Sequence, residues 1–262
     1  MSAALVRIEH MFENGAMATA ALVLDPPPPE AHRREVVRDL QARIRRMQRN
    51  RLDTRAIPTH SALADLLPGG ALAAGGAYAV RASTTLALGL LQGPSAAGAW
   101  CAAVGVPDLG AEAAAGMGLD LDRLVLVPHP GDRWLTVVSA LVDVVSVVLV
   151  RPPSRGGRAL VTEAAAGRIA SRLRTREAVL VALGEWPRAD ASLAVTESSW
   201  AGIGAGHGHL TGRRVTVASS SSAWAGRTRS RRLWLPGPDE RIAEVAQKGQ
   251  EESGSPMRVM TG

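Results

Sequence analysis

A single cysteine, Cys101, stands in 262 residues. That excludes an intramolecular disulfide framework, and no Cys/His set has zinc-finger spacing. Lysine is equally scarce: Lys248 is the one lysine among 30 basic residues. A phosphate-binding loop of the G-x-x-x-x-G-K-[ST] kind needs its lysine at a strand-to-helix turn. Lys248 lies instead in a polar stretch near the C-terminus, so the sequence excludes that loop. Long hydrophobic runs are also missing. The longest near the start, Ala16 to Leu24, has nine residues, is flanked by Glu13 and Asp25, and runs into Pro26–Pro29. It is too short to span a bilayer and lacks the flanks of a signal peptide. The expectation is a soluble, unexported, cytoplasmic chain with no membrane contact.

What is present points to one ordinary α/β domain with ragged ends. Hydrophobic residues make up 46% and charged residues 21% of the chain, enough for a sizeable core without a metal or disulfide staple. Thirty basic against 24 acidic residues leave a formal charge of +6. Nearly all of the cations are arginine and alanine is abundant, a bias expected of GC-rich coding. The basic balance is therefore discounted as evidence for a nucleic-acid partner.

The chain divides into four parts. Residues 1–29 show no sustained periodicity and read as a flexible extension. Residues 30–56 read as a basic amphipathic helix, because Val37, Leu40, Ile44 and Met47 step by three, four and three onto one face. Between residues 33 and 55, nine arginines, Arg38, Arg43, Arg45, Arg46 and Arg49 among them, stand against three acids. Residues 57–236 form the core, where short apolar runs alternate with helical patterns, as in a mainly parallel sheet with crossover helices. Strands are expected at Ala77–Val80, Ala99–Val104, Leu124–Val127, Val144–Val150 and Ala178–Leu183. Helices are expected at Thr84–Leu91, Leu109–Gly116, Arg133–Val142 and Arg158–Arg176. Later runs, Ser192–Thr196, Arg213–Ala218 and Arg231–Leu235, leave no room for crossover helices and read as antiparallel strands extending the sheet. Residues 237–262 read as a mostly disordered tail with a short helical stretch at Asp239–Gln247.

The turn Arg81-Ala82-Ser83-Thr84-Thr85 follows the first core strand, where a nucleotide-binding α/β protein wraps phosphates. Such a site needs glycines, exposed helix-terminal amides and a cation. Between Val80 and Thr84 there is neither glycine nor lysine, so Ser83 or Thr84 reads as a plain helix cap. His207 and His209 have no nearby carboxylate or cysteine to complete a metal site and read as part of a hairpin loop. Ser219–Ser222 read as a turn, without a nucleophile elbow. Trp186 beside Arg188 has the makings of a base-stacking pair, but a tryptophan at a strand end is more often buried. Arg168, Arg172 and Arg176, spaced by four, form a cationic ridge on one helix. Arg227, Arg229, Arg231 and Arg232 alternate near the last strand and suit protection of a sheet edge.

Several segments carry a family resemblance: Leu66 to Gly75, Ala77 to Val80, Ser83 to Leu88, Trp100 to Val104 and Gly118 to Val127. In order and spacing they resemble a RecA-type core with its phosphate loop collapsed. From about Leu66 to Pro236 the chain is similar to the ImuA family, RecA-like accessory proteins of bacterial mutagenesis cassettes, in its diverged actinobacterial branch. Carried across residue by residue, the resemblance mainly implies losses. The phosphate-loop lysine falls near Ser83, the catalytic glutamate near Pro107, and the metal-holding aspartate at Arg151. Asp108 stands next to the second of these. Phosphate neutralisation, water activation and Mg²⁺ support each lose their side chain. The loops that contact DNA in RecA also look trimmed, at Pro152–Gly157 and Gly184–Ala189.

The resemblance thus implies a non-catalytic adaptor in the SOS response to DNA damage, with no cofactor and no bound metal. It would support error-prone translesion synthesis beside an inactive Y-family polymerase-like protein and an error-prone replicative-type DNA polymerase, with RecA as a further partner. A weak DNA contact would fall to Arg38, Arg43, Arg45, Arg46 and Arg49, or to Arg168, Arg172 and Arg176. Rival readings are an ATP-dependent recombination regulator and a division inhibitor resembling SulA.

Overall fold

The computed structural model describes residues 56–155, 158–204 and 207–245. The extension 1–29, the basic helix with Arg38, Arg43, Arg45, Arg46 and Arg49, and residues 246–262 lie outside the described residues. A first short segment holds β1 (Ala56–Ile57), α1 (Ser61–Ala64) and β2 (Leu72–Ala73). The core then runs β3 (Ala77–Arg81), α2 (Thr84–Ala96), β4 (Cys101–Val104), α3 (Ala111–Gly116), β5 (Leu124–Val127), α4 (Trp134–Val142) and β6 (Val147–Val150). It continues with β7 (Ser154–Arg155), β8 (Arg158–Ala159), α5 (Glu163–Arg176), β9 (Val179–Leu183), β10 (Ala191–Gly204), β11 (His207–Ser220), β12 (Thr228–Trp234) and β13 (Ala243–Glu244).

Nine strands form one sheet in the order β13-β12-β11-β10-β3-β9-β6-β4-β5. From β10 to β5 every pairing is parallel, while β11, β12 and β13 join antiparallel. This is the expected helix-flanked, mainly parallel sheet with antiparallel strands at its C-terminal end. The all-apolar strands are explained by burial on both faces. On β6, Val147 and Leu149 face a cluster with Leu86, Leu90 and Leu91 of α2, whereas Val148 and Val150 face a second cluster with Val138 of α4 and Ile169 of α5. No helix among the described residues is long and apolar enough to cross a membrane.

Four differences from the sequence reading have local causes. The helix expected from Arg158 begins at Glu163, because the Thr162 hydroxyl caps it by accepting from the Ala165 amide at 3.2 Å, and β7 and β8 pair as a small hairpin before it. The strand expected from Val144 begins at Val147, since the Val144 and Val145 amides still bond the Leu141 carbonyl and finish the α4 turn. Of the helical stretch expected at Asp239–Gln247, the described residues 239–245 form a turn leading into β13. There Ile242 is buried against Gly89 of α2, where a Cβ would come within 2.5 Å of the isoleucine Cδ1.

The fourth difference concerns direction. The run at Ser192–Thr196 was expected to be antiparallel, yet β10 lies parallel to β3, with Ala191 opposite Tyr78. Seven residues, 184–190, connect β9 to β10 across β3. A parallel crossover usually takes a dozen residues or more and a helix. Here a short connection with a turn at Pro187-Arg188 and no helix suffices, because Ala77 and Ala79 present little side chain on that face of β3. Trp186 fills the space, buried edge-on to Trp134 with ring centroids 6.5 Å apart. Trp186 is thus a core residue, and its neighbour Arg188 pairs with Glu163 at 2.9 Å.

Cys101 sits in β4 with its thiol pushed up to about 12 by burial. Only the thiolate alkylates. Native protein is expected to leave this cysteine unmodified by iodoacetamide at pH 8 and to react fully once unfolded, a difference that intact-mass spectrometry measures directly.

Candidate functional site

The C-terminal ends of β3, β4 and β6 meet along one edge of the sheet. In open α/β sheets this edge is where ligands bind. β3 ends at exposed Arg81, and Ala82 takes a left-handed conformation at φ +56°. That is an uncommon state for a residue with a Cβ. Ser83 follows as the N-cap of α2, its Oγ accepting from the Leu86 amide at 3.1 Å. The Ser83 side chain is therefore committed to the helix end. Thr84 and Thr85 open the helix, half-buried.

The loops after β4 and β6 converge on this turn. Gly105, at φ +71°, ends β4, and a Cβ there would stand 2.7 Å from the Arg151 carbonyl. The loops after β4 and β6 are thus in backbone contact. Arg151 grips both Asp108 carboxylate oxygens, Nη1 at 2.5 Å and Nη2 at 3.2 Å, and Nη2 also donates to Thr84 Oγ1 at 3.3 Å. The Arg151 guanidinium, bonded to it, holds the Asp108 carboxyl below the usual carboxylate range. One arginine thereby ties the α2 N-terminus to the loop after β4. Each residue has an exposed face, so the pair contributes little to stability; its consequence is that the two side chains satisfy each other across the mouth.

The arginine ridge lies elsewhere, on α5. Arg172 grips both oxygens of Asp143, and Arg176 Nε reaches Asp143 Oδ1 at 3.0 Å. Asp143 caps the C-terminus of α4, and its carboxyl is held low, chiefly by the Arg172 hydrogen bond. Two of the three arginines therefore fasten α5 to α4. Arg168 is exposed on the rim of a groove of about 440 Å³, lined also by Leu135, Ser139, Ala165, Ile169 and Ser171.

At the far end, Arg231 pairs with Asp65 and Arg229 donates to the Asp65 carbonyl, which ties β12 to the chain after α1. His209 is exposed, and no group of three or more His, Cys, Asp or Glu among the described residues has metal-binding proximity. Ser219 and Ser220 close β11, and Ser221 Oγ caps the following short 3-10 turn by accepting from the Ala223 amide. Sequence reasoning identified position 151 but not its partner. It also missed the long β10–β11 arm, where Trp200 lies exposed under Arg213.

Residues 65–188 match the family described as the MT3502 N-terminal domain. The uncharacterized protein Rv3395c of Mycobacterium tuberculosis is 35% identical over 133 residues, covering 50% of this chain and 63% of the relative. This chain therefore aligns with somewhat under two thirds of that relative's length. Among solved structures, the KaiC-like protein PH0186 of Pyrococcus horikoshii OT3 is similar with a TM-score of 0.48 at 14% identity, covering 73% of this chain and 99% of that one.

Proposed function

We propose that the protein is a non-catalytic, ImuA-like adaptor of the SOS response, supporting error-prone translesion synthesis in the cytoplasm through protein contacts. The observation that carries this reading is the Arg151–Asp108 pair at the mouth, bonded to Thr84. In an ATPase of this architecture that edge must present a phosphate cradle, a water-activating carboxylate and a metal-holding carboxylate. Here Ser83 is spent as a cap, an arginine, Arg151, stands where the resemblance puts the metal-holding acid, and Asp108 beside it is engaged by that arginine. Similarity to a mycobacterial protein is in keeping with an actinobacterial branch. The partners in this reading are an inactive Y-family polymerase-like protein, an error-prone replicative-type polymerase and RecA.

Isothermal titration with Mg·ATP tests the catalytic half of the proposal. No saturable heat is expected at millimolar nucleotide. Micromolar binding, or steady phosphate release by the pure chain, overturns it in favour of an ATP-dependent recombination regulator. Affinity purification of the tagged chain after DNA damage tests the other half. Recovery of the polymerase partners supports the adaptor, whereas recovery of the tubulin-like division protein alone favours the SulA-like alternative.

A further inference from the structure

β10 and β11 are each 14 residues long, but the sheet holds only part of them. β3 pairs with β10 from Ala191 to Ala194 and no further, and β12 pairs with β11 only from Arg214 onward. Arg213 is still bonded to the chain after β12, its amide donating to the Pro236 carbonyl at 2.8 Å and its carbonyl accepting from the Leu235 amide at 2.7 Å; past Arg213 on β11 and Ala194 on β10, the hairpin stands as a two-stranded arm beyond the end of β3.

At the root of this arm Trp200 lies opposite Arg213 in the strand register, and the Arg213 guanidinium carbon is 5.8 Å from the indole centroid. Arg213 Nε donates to Ser198 Oγ at 2.8 Å, which fixes the side chain and leaves both terminal nitrogens available. Trp200 is 55% exposed, although it is one of the largest apolar side chains on the surface. Its neighbours two residues away on β10 are Ser198 and Gly202, both too small to wall in the ring. On the next residue, Arg214 lies against Trp234 at 5.4 Å.

The charge around these pairs is one-sided. Of the six arginines between residues 196 and 234, Arg231 pairs with Asp65 and Arg229 bonds the Asp65 carbonyl at the far end of β12, whereas Arg213 and Arg214 stand beside the tryptophans with one acid in that stretch, Glu197, which accepts a hydrogen bond from Thr216 at 2.7 Å. Elsewhere the arginines with a structural task are met by carboxylates: Arg151 by Asp108, Arg172 and Arg176 by Asp143, Arg188 by Glu163. Arg213 and Arg214 have no carboxylate partner among the described residues.

We propose that this arm binds single-stranded nucleic acid, with one base stacked on Trp200 and the adjoining phosphate held by the terminal nitrogens of Arg213. A flat, unwalled indole suits a planar base, which needs only a face to stack on, better than an aliphatic side chain, which needs an enclosing pocket. The stacking base must be unpaired, which selects single strands. Arg213 and Arg214 supply the electrostatic attraction that any phosphate backbone requires. The inference does not depend on the adaptor reading, and an ATP titration leaves it untouched.

The test is fluorescence anisotropy of a fluorescein-labelled oligo(dT), about 20 nucleotides, with the full chain at about 50 mM salt. Wild-type protein is expected to bind. Trp200→Ala is expected to weaken binding about tenfold, and Trp200→Phe, which keeps a ring, to retain most of it. Arg213→Gln is expected to weaken binding and to reduce the slope of log affinity against log salt by about one. Arg133→Gln, exposed just before α4, is the control expected to leave both unchanged. Three results overturn the proposal: no wild-type binding at tens of micromolar protein, binding that Trp200→Ala and Arg213→Gln leave within twofold, or equal competition by polyglutamate. The second outcome would move the contact to other arginines, and the third would make the arm a docking surface for acidic protein. Trp200 and Arg213 pack into neither core cluster, so the variants are expected to keep the wild-type melting midpoint.

Discussion

Leu149→Ala is expected to lower the unfolding free energy by about 2–5 kcal/mol, read as a fall in the urea midpoint at unchanged slope. Leu149 is fully buried in β6, with Val181 of β9 and Ala103 of β4 as its register neighbours on either side. Strands β4, β6 and β9 are fixed at their spacing by parallel ladders, so the sheet cannot close over the missing methyl groups. Relief can come only from α2, which packs across this face with Leu86, Leu90 and Leu91. That helix is in turn held at its start by the Ser83 cap. Little collapse is possible, and the cost belongs in the upper part of the range. A loss under about 1 kcal/mol would mean that the layer is loosely packed at this point.

The sheet's interior was legible because burial on both faces leaves its mark in composition. Val147 to Val150 and Val179 to Leu183 are unbroken apolar runs, and between them Thr162 to Arg176 carries a helical pattern. The direction of β10 was hidden. Seven residues look too few for a parallel crossover, and the alanines of β3 that let a helix-free connection pass over it give no signal of their own. The arm's length was hidden as well. From Thr196 to Gly204 the chain reads as serine, glycine and a lone tryptophan without alternation, because backbone pairing rather than a buried face holds it.

At the site, positions 83, 107 and 151 were readable as lying just past the ends of their strands. The bond between Arg151 and Asp108 was not. These residues are 43 positions apart, and they meet because β4 and β6 are neighbours in the sheet, a matter of strand order. The same reason hid the partner of Arg172 and Arg176. Asp143 looked like the residue after a helix, and only the packing of α4 on α5 turns it into an anchor. A ridge read from spacing alone counted three free cations where the fold uses two as fasteners.

Gly93→Ala and Gly167→Ala, each adding one methyl group to a helix, are expected to act with opposite sign. At Gly167 in α5 nothing lies within 4 Å of an added Cβ, so alanine should stabilise by about 0.5–1 kcal/mol through the helical preference it restores. At Gly93 in α2 the same Cβ would stand 2.4 Å from the Pro58 carbonyl oxygen and 2.9 Å from the Thr59 Cα. Both obstacles are backbone, and no rotamer change removes them. The segment carrying Pro58 would have to lift from α2, drawing on the Ile57 side chain buried in the core and on the β1–β2 pairing of Ala56 with Ala73. Overpacking of this kind costs about 1–3 kcal/mol, so the two variants should differ by several degrees in melting midpoint, in the order Gly167→Ala, wild type, Gly93→Ala. Displacing α2 would also move Thr84 at its other end and stretch the 3.3 Å bond from Arg151. A Gly93→Ala protein as stable as wild type would show that the chain before α1 does not press on the helix, and that the mouth of the site is set by its own loops alone.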